Sequence, residues 1–136
     1  MIILDTSAVI ELLLNLPLGK LVRQRLTDPD VQIHAPQLLP VEVVQVLRRR
    51  VAAGITTPAD AGDALEELEQ LDISLHDHML LIQRVWELRE NMTSYDGMYV
   101  ALAELLEAPL LTSDAKLARS PGTHADIELL HLRLVE

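Results

Sequence analysis

Asp5, Glu42, Asp96 and Asp114 are the residues whose type and placement could do chemistry. They lie far apart in the chain, yet each stands beside the boundary of an expected element. Asp5 follows the apolar run Met1-Ile2-Ile3-Leu4 and precedes Thr6-Ser7, the pattern of a buried strand ending where a helix begins. Asp114 repeats that pattern after Pro109-Leu110-Leu111-Thr112-Ser113. Carboxylates just past strand ends face the crevice where open α/β sheets place their ligands. Oxygen donors of this kind suit Mg²⁺ or Mn²⁺, ions that promote phosphoester hydrolysis without a protein nucleophile. Two carboxylates about 4 Å apart repel by roughly 1 kcal/mol in water and about 4 kcal/mol at an effective dielectric of 20. Four gathered without a cation must therefore protonate in part or splay.

The elements that would position them can be read from periodicity and punctuation. Two helical pieces, Ser7 to Leu14 and Leu18 to Leu26, flank Pro17, and Val31-Gln32-Ile33-His34 alternates like a short strand. A long helix is expected from Leu38 to Ala52, entered through Pro36 and Pro40 and closed by Gly54. The next starts with Thr57 as N-cap and Pro58 at its first position, with Ala61, Leu65 and Leu68 as the buried stripe. Leu71, Ile73 and Leu75 predict another strand, and Asp77 to Glu90 a helix with Leu81, Val85 and Leu88 on one face. Thr93 or Ser94 caps a helix reaching Glu107. A strand from Pro109, a short helix over Lys116–Arg119 and a last strand from Ile127 to Val135 complete the chain. Strands alternating with helices predict a parallel sheet covered on both faces.

With 136 residues and no linker-like stretch, the expectation is one domain over residues 1–136. Apolar residues make up 49% of the chain, yet Phe is absent, so the core must be aliphatic. The absence of Cys rules out disulfides, thiolate metal sites and cysteine nucleophiles, and fits a reducing cytoplasm. The first residues lack the layout of a signal peptide, and no apolar run approaches the roughly 18 residues that span a bilayer. The net charge of −10 opposes nucleic-acid binding, so any grip on phosphate must be local and helped by bound cations. It also suits a basic partner protein.

Each acid has a plain structural use as well. Asp5 and Asp114 could cap the helices that follow them, and Thr93-x-x-Asp96 resembles a capping box. Glu42 differs, because Leu38, Leu39 and Val46 place it near the apolar side of its helix, with no Lys or Arg one turn away. A charge there needs a partner or a metal. Thr6, Ser7, Thr112 and Ser113 could donate to the acids or to a phosphate, or could serve as caps. Within Arg48-Arg49-Arg50, a helix end complementing the dipole and a phosphate grip through Arg49 are equally good readings. The histidines form no His-Glu-x-x-His motif, and no P-loop, Gly-x-Ser-x-Gly elbow or dinucleotide fingerprint is present.

Four blocks in order give the chain a resemblance to PIN domains, particularly the VapC-type toxins of bacterial toxin–antitoxin pairs. They are Leu4-Asp5-Thr6-Ser7-Ala8, the stretch from Pro40 through Glu42 to Arg49, Ser94-Tyr95-Asp96 running to Glu104, and Leu110 through Asp114 to Ala118. The resemblance implies a three-layer α/β/α domain with a central, mainly parallel sheet of four or five strands. It implies that Asp5, Glu42, Asp96 and Asp114 line one divalent-metal site, with Mg²⁺ or Mn²⁺ as cofactor. It further implies a cytoplasmic endoribonuclease that cuts structured RNA, forms a homodimer, and is neutralised by a cognate antitoxin inserting a basic residue. Gln45 stands where the family commonly has Asn, Gly97 where Ala is usual, and Lys116 where some members carry another acid. The rival readings are a catalytically inactive PIN-like interaction module, a haloacid-dehalogenase-like phosphatase and a receiver-like phosphoacceptor. The phosphatase needs an aspartate where Ser7 stands, and the receiver needs acids paired beside Asp5.

Overall fold

In the computed structural model, residues 1–132 are described. The strands are β1 (Ile2–Leu4), β2 (Ile33–Pro36), β3 (Ile73–His76), β4 (Leu110–Thr112) and β5 (Ile127–Leu129). The helices are α1 (Thr6–Leu13), α2 (Gly19–Arg25), α3 (Leu39–Ala52), α4 (Pro58–Gln70), α5 (Ile82–Glu87), α6 (Ser94–Leu106) and α7 (Ala115–Ala118). All strand pairs are parallel, in the order β3-β2-β1-β4-β5. From β1 the chain steps outward to β2 and β3, then returns past β1 to β4 and β5. Parallel crossovers share one hand, so steps in opposite directions put their helices on opposite faces. Accordingly α1 packs with α2, α3 and α4, while α6 packs with α5 and lies on β1, β2 and β4. The result is a three-layer α/β/α domain with a fully parallel, five-stranded sheet.

Central strands read as continuous apolar runs because both sheet faces are covered. Ile2, Ile3, Leu4, Leu110 and Leu111 are all buried, as is every residue of α6 from Gly97 to Ala103. Among the described residues no helix is long and apolar enough to cross a membrane.

Most expected elements form, with shifts that have local causes. β2 starts at Ile33 because the Val31 amide turns back to the Asp28 carbonyl at 3.1 Å. The helix expected over Asp77 to Glu90 is broken. Asp77 accepts from the Met79 amide, producing a 3₁₀ turn over His78–Leu80 before α5. Leu81, Val85 and Leu88 are nevertheless buried on one side, as their spacing predicts. On α4 the buried residues are Ala61 and Ala64, with Leu65 and Leu68 only partly covered. Leu71 ends α4, which delays β3 to Ile73. The last strand stops at Leu129, and the part of its expected range beyond residue 132 lies outside the described residues.

Two glycines mark close approaches. A Cβ on Gly97 would meet Val85 Cγ1 at 3.2 Å, so the start of α6 nestles against α5. A Cβ on Gly19 would meet the Glu11 carbonyl oxygen at 2.4 Å, where α2 begins against α1. The backbone oxygen cannot swing aside as a side chain can. Gly19→Ala should therefore lower stability by about 1–3 kcal/mol, the usual cost of overpacking, measured as an earlier urea midpoint. An unchanged midpoint would mean that α1 and α2 can separate freely.

Candidate active site

Strand order reverses between β1 and β4, and the two helix layers diverge beyond that junction. Open α/β sheets bind ligands in the crevice formed there. Leu4 lies in register with Leu111, and the Asp5 amide donates to the Leu111 carbonyl at 3.2 Å. Asp5 and Asp114 thus leave adjacent strand ends. Glu42 arrives from the first turn of α3 and Asp96 from the first turn of α6. All four face one cavity of about 770 Å³, together with Thr6, Ser7, Ser113, Arg49 and Tyr99.

The capping roles are real but use only part of each group. Asp5 Oδ1 accepts from the Ala8 amide at 3.0 Å and from the Ser7 hydroxyl at 2.6 Å. Asp114 Oδ1 accepts from the Lys116 amide at 2.9 Å. Thr93 caps α6 through the Asp96 amide at 3.2 Å, and no bond from the Asp96 carboxylate back to the Thr93 amide completes a capping box.

Ser7 ties the two strand-end turns together. Its hydroxyl accepts from the Ser113 amide at 2.9 Å and lies 3.3 Å from Thr112 Oγ1. Thr112 Oγ1 in turn accepts from the Asp114 amide at 3.0 Å. Thr112 is wholly buried beneath the cavity and does not line it.

Glu42 has partners that its own helix does not provide. Its Oε1 accepts from Thr6 Oγ1 at 2.9 Å and from Tyr99 Oη at 2.7 Å. Tyr99 is the residue that sequence reasoning missed. Its one visible signal was its position three residues after Asp96 on the same helix, which puts both on one face.

The carboxylates sense one another. Burial raises the Asp96 pKa above the ordinary aspartate value, and the charges of Asp114, Asp5 and Glu42 push it further. Burial raises that of Asp5 as well; the Ser7 and Thr112 hydroxyls and the Ala8 amide pull it back, and Asp114 adds to the rise. Among the described residues no Lys or Arg forms an ion pair with any of the four. An all-oxygen, uncompensated donor set of this kind fits a hard divalent cation. As placed, however, no group of three such side chains among the described residues is arranged to hold an ion.

The arginine run divides by role. Arg48 bonds Gln45 at 3.0 Å and Arg50, which lines the cavity, bonds Thr56 at 2.9 Å, whereas Arg49 lines the cavity and makes no side-chain bond among the described residues. Among the described residues no imidazole lines the cavity. His34 and His76 share a bond of 2.8 Å between β2 and β3, and His78 accepts from the Leu38 amide.

A PIN-domain family model matches residues 2–122. The chain belongs to the PIN domain family. Within it the type is that of the VapC proteins. The chain is 37% identical over 129 residues to "Ribonuclease VapC1" of Mycobacterium tuberculosis, covering 94% of this chain and 96% of that one. It is 38% identical over 130 residues to "Ribonuclease VapC12" of the same organism, covering 96% and 99%. Two solved structures share the PIN fold. PAE2754 from Pyrobaculum aerophilum has a TM-score of 0.66 at 21% identity, covering 93% of this chain and 81% of that one. VapBC2 from Rickettsia felis, solved bound to a DNA fragment from its promoter, has a TM-score of 0.66 at 14% identity, covering 96% and 100%.

The raised pKa values in this PIN domain have a signed consequence for stability. Between 3.8, where a free aspartate titrates, and its raised folded-state value, Asp96 keeps its proton in the fold after the unfolded chain has lost its own. Folding then takes up protons, so stability falls as pH rises through that window. Asp96→Asn removes the charge and keeps the shape. In chelator at about pH 7 the variant should unfold at higher urea than the parent, with the gap narrowing toward about pH 4. Equal midpoints at neutral pH would mean that neither burial nor the neighbouring acids disfavour the Asp96 charge.

Proposed function

We propose that this chain is an endoribonuclease that hydrolyses RNA phosphodiester bonds with Mg²⁺ or Mn²⁺ held by Asp5, Glu42, Asp96 and Asp114. The single observation that carries the reading is the convergence of those four carboxylates on one cavity, none of them in an ion pair among the described residues. The names of the VapC ribonucleases that the chain resembles support the choice of RNA. A divalent ion bound there supplies activated water and charge stabilisation for the leaving oxygen. The chain's own residues do the rest. Asp5, anchored through Oδ1 to the start of α1, is the central ligand. Ser7 holds the Asp5 and Asp114 turns at a fixed spacing. Arg49, which makes no side-chain bond among the described residues, gives the cavity a positive group for an RNA phosphate beside Arg50, and Ser113 also lines it.

We further infer that the protein is the toxin of a toxin–antitoxin pair, acting in the cytoplasm as a homodimer until a cognate antitoxin covers the acidic cavity with a basic side chain. The VapBC fold match and the net charge of −10 support a basic, protein-borne neutraliser.

A catalytically inactive interaction module is the second reading, and one observation favours it: the acids as placed do not enclose an ion. Both readings meet the same test. Chelator should stop cleavage of RNA by the purified protein, added Mg²⁺ or Mn²⁺ should restore it, and Asp5→Asn or Asp96→Asn should bring it below detection. Chelator-resistant cutting, or full activity in either variant, would remove the metal site from the reaction; no cutting with either metal selects the inactive module. In an Asp96→Asn background, Arg49→Ala should weaken RNA binding and flatten the dependence of log affinity on log salt by about 0.7, one phosphate's share on a single strand. An unaltered slope would leave Arg49 as a helix-end charge only.

A further inference from the structure

Thr6 Oγ1, Tyr99 Oη and Glu42 Oε1 form a closed triangle with edges of 2.9, 2.9 and 2.7 Å. Three elements meet in it: the start of α1, the middle of α6 and the first turn of α3. Its composition is unusual for packing alone, because Tyr99 is only 2% exposed and buries its phenol to reach a carboxylate. Hydrogen bonds to an ionised acceptor are about twice as strong as neutral ones, so both hydroxyls turn their protons toward Glu42. The Thr6 and Tyr99 oxygens then have no proton left for each other. Both donations fall on Oε1, and Oε2 receives no hydrogen bond among the described residues.

We propose that Tyr99 and Thr6 are positioning residues for Glu42, engaging Oε1 from two helices so that Oε2 is the oxygen presented to the cavity as a divalent-cation ligand. The proposal rests on the reading of the cavity as a metal site and names what orients one of its ligands. Glu42 has three side-chain torsions, and among the described residues its side-chain hydrogen bonds come from Thr6 and Tyr99 and none from α3 itself. Tyr99 and Thr6 come from two separate helices, so two independent tethers hold the Glu42 carboxylate through Oε1. Outer partners of this kind commonly change metal affinity by about 10–100-fold when removed.

The test uses the full chain and Mn²⁺ alone, without RNA, so that affinity is read separately from catalysis. Mn²⁺ binding is measured by calorimetric titration for the parent, Tyr99→Phe, Thr6→Val, Thr6→Ser and Glu42→Gln, with urea midpoints taken in chelator. The expected result is a loss of about 10–100-fold in Mn²⁺ affinity for Tyr99→Phe and for Thr6→Val. Thr6→Ser keeps the hydroxyl and should retain parent affinity. Glu42→Gln should lose at least as much as either. If Glu42→Gln loses affinity while Tyr99→Phe and Thr6→Val keep it, the positioning role is wrong and the metal site stands. If those two variants lose stability with no change in affinity, the triangle is structural only. If Glu42→Gln binds Mn²⁺ as the parent does, the metal-site reading itself fails at this residue.

Discussion

Like charges brought into one crevice are the constraint around which the domain is organised. A parallel sheet whose strand order reverses beside its first strand has to leave a gap past the junction, because the crossovers on either side run to opposite faces. Into that gap the chain directs carboxylates from four separate elements. Hydrophobic burial of β1, β4 and α6 holds the scaffold rigid enough to keep them there. Their repulsion is not relieved by any ion pair among the described residues, and it adds to burial, the larger cause, in raising the affinity of Asp5 and Asp96 for protons.

Hydroxyl groups govern the geometry of that site more than charged groups do. Ser7 joins the turn after β1 to the turn after β4, and Thr112 supports the second turn from beneath. Thr6 and Tyr99 do the same for Glu42. Hydroxyls can orient a carboxylate without cancelling its charge, which a lysine or arginine paired with it would do.

Local signals made much of this legible in the sequence. Asp5 and Asp114 could be placed because a short apolar run followed by an acid marks a strand end, and Thr57 and Thr93 could be placed as caps from the residues that follow them. The helix face of Leu81, Val85 and Leu88 also survived, although its helix did not form as one piece. What escaped depends on partners distant in the chain. Glu42 seemed isolated because its neighbours on α3 include no cation, yet its partners lie 36 and 57 residues away. Likewise the side-chain bond from Asp77 to the Met79 amide and the backbone turn from Val31 to Asp28 override propensities that point to longer elements.

The contact between Gly97 and Val85 places a residue of α5, remote from the cavity, in charge of how closely α6 can settle at the turn that bears Asp96. Alanine at 97 would gain up to about 1 kcal/mol of helix propensity over glycine, but it would also press on a β-branched neighbour with little rotamer freedom. Positions 85 and 97 therefore form a single steric unit: more bulk at one is tolerated only with less at the other, and the acid next to 97 moves with whichever compromise the pair adopts.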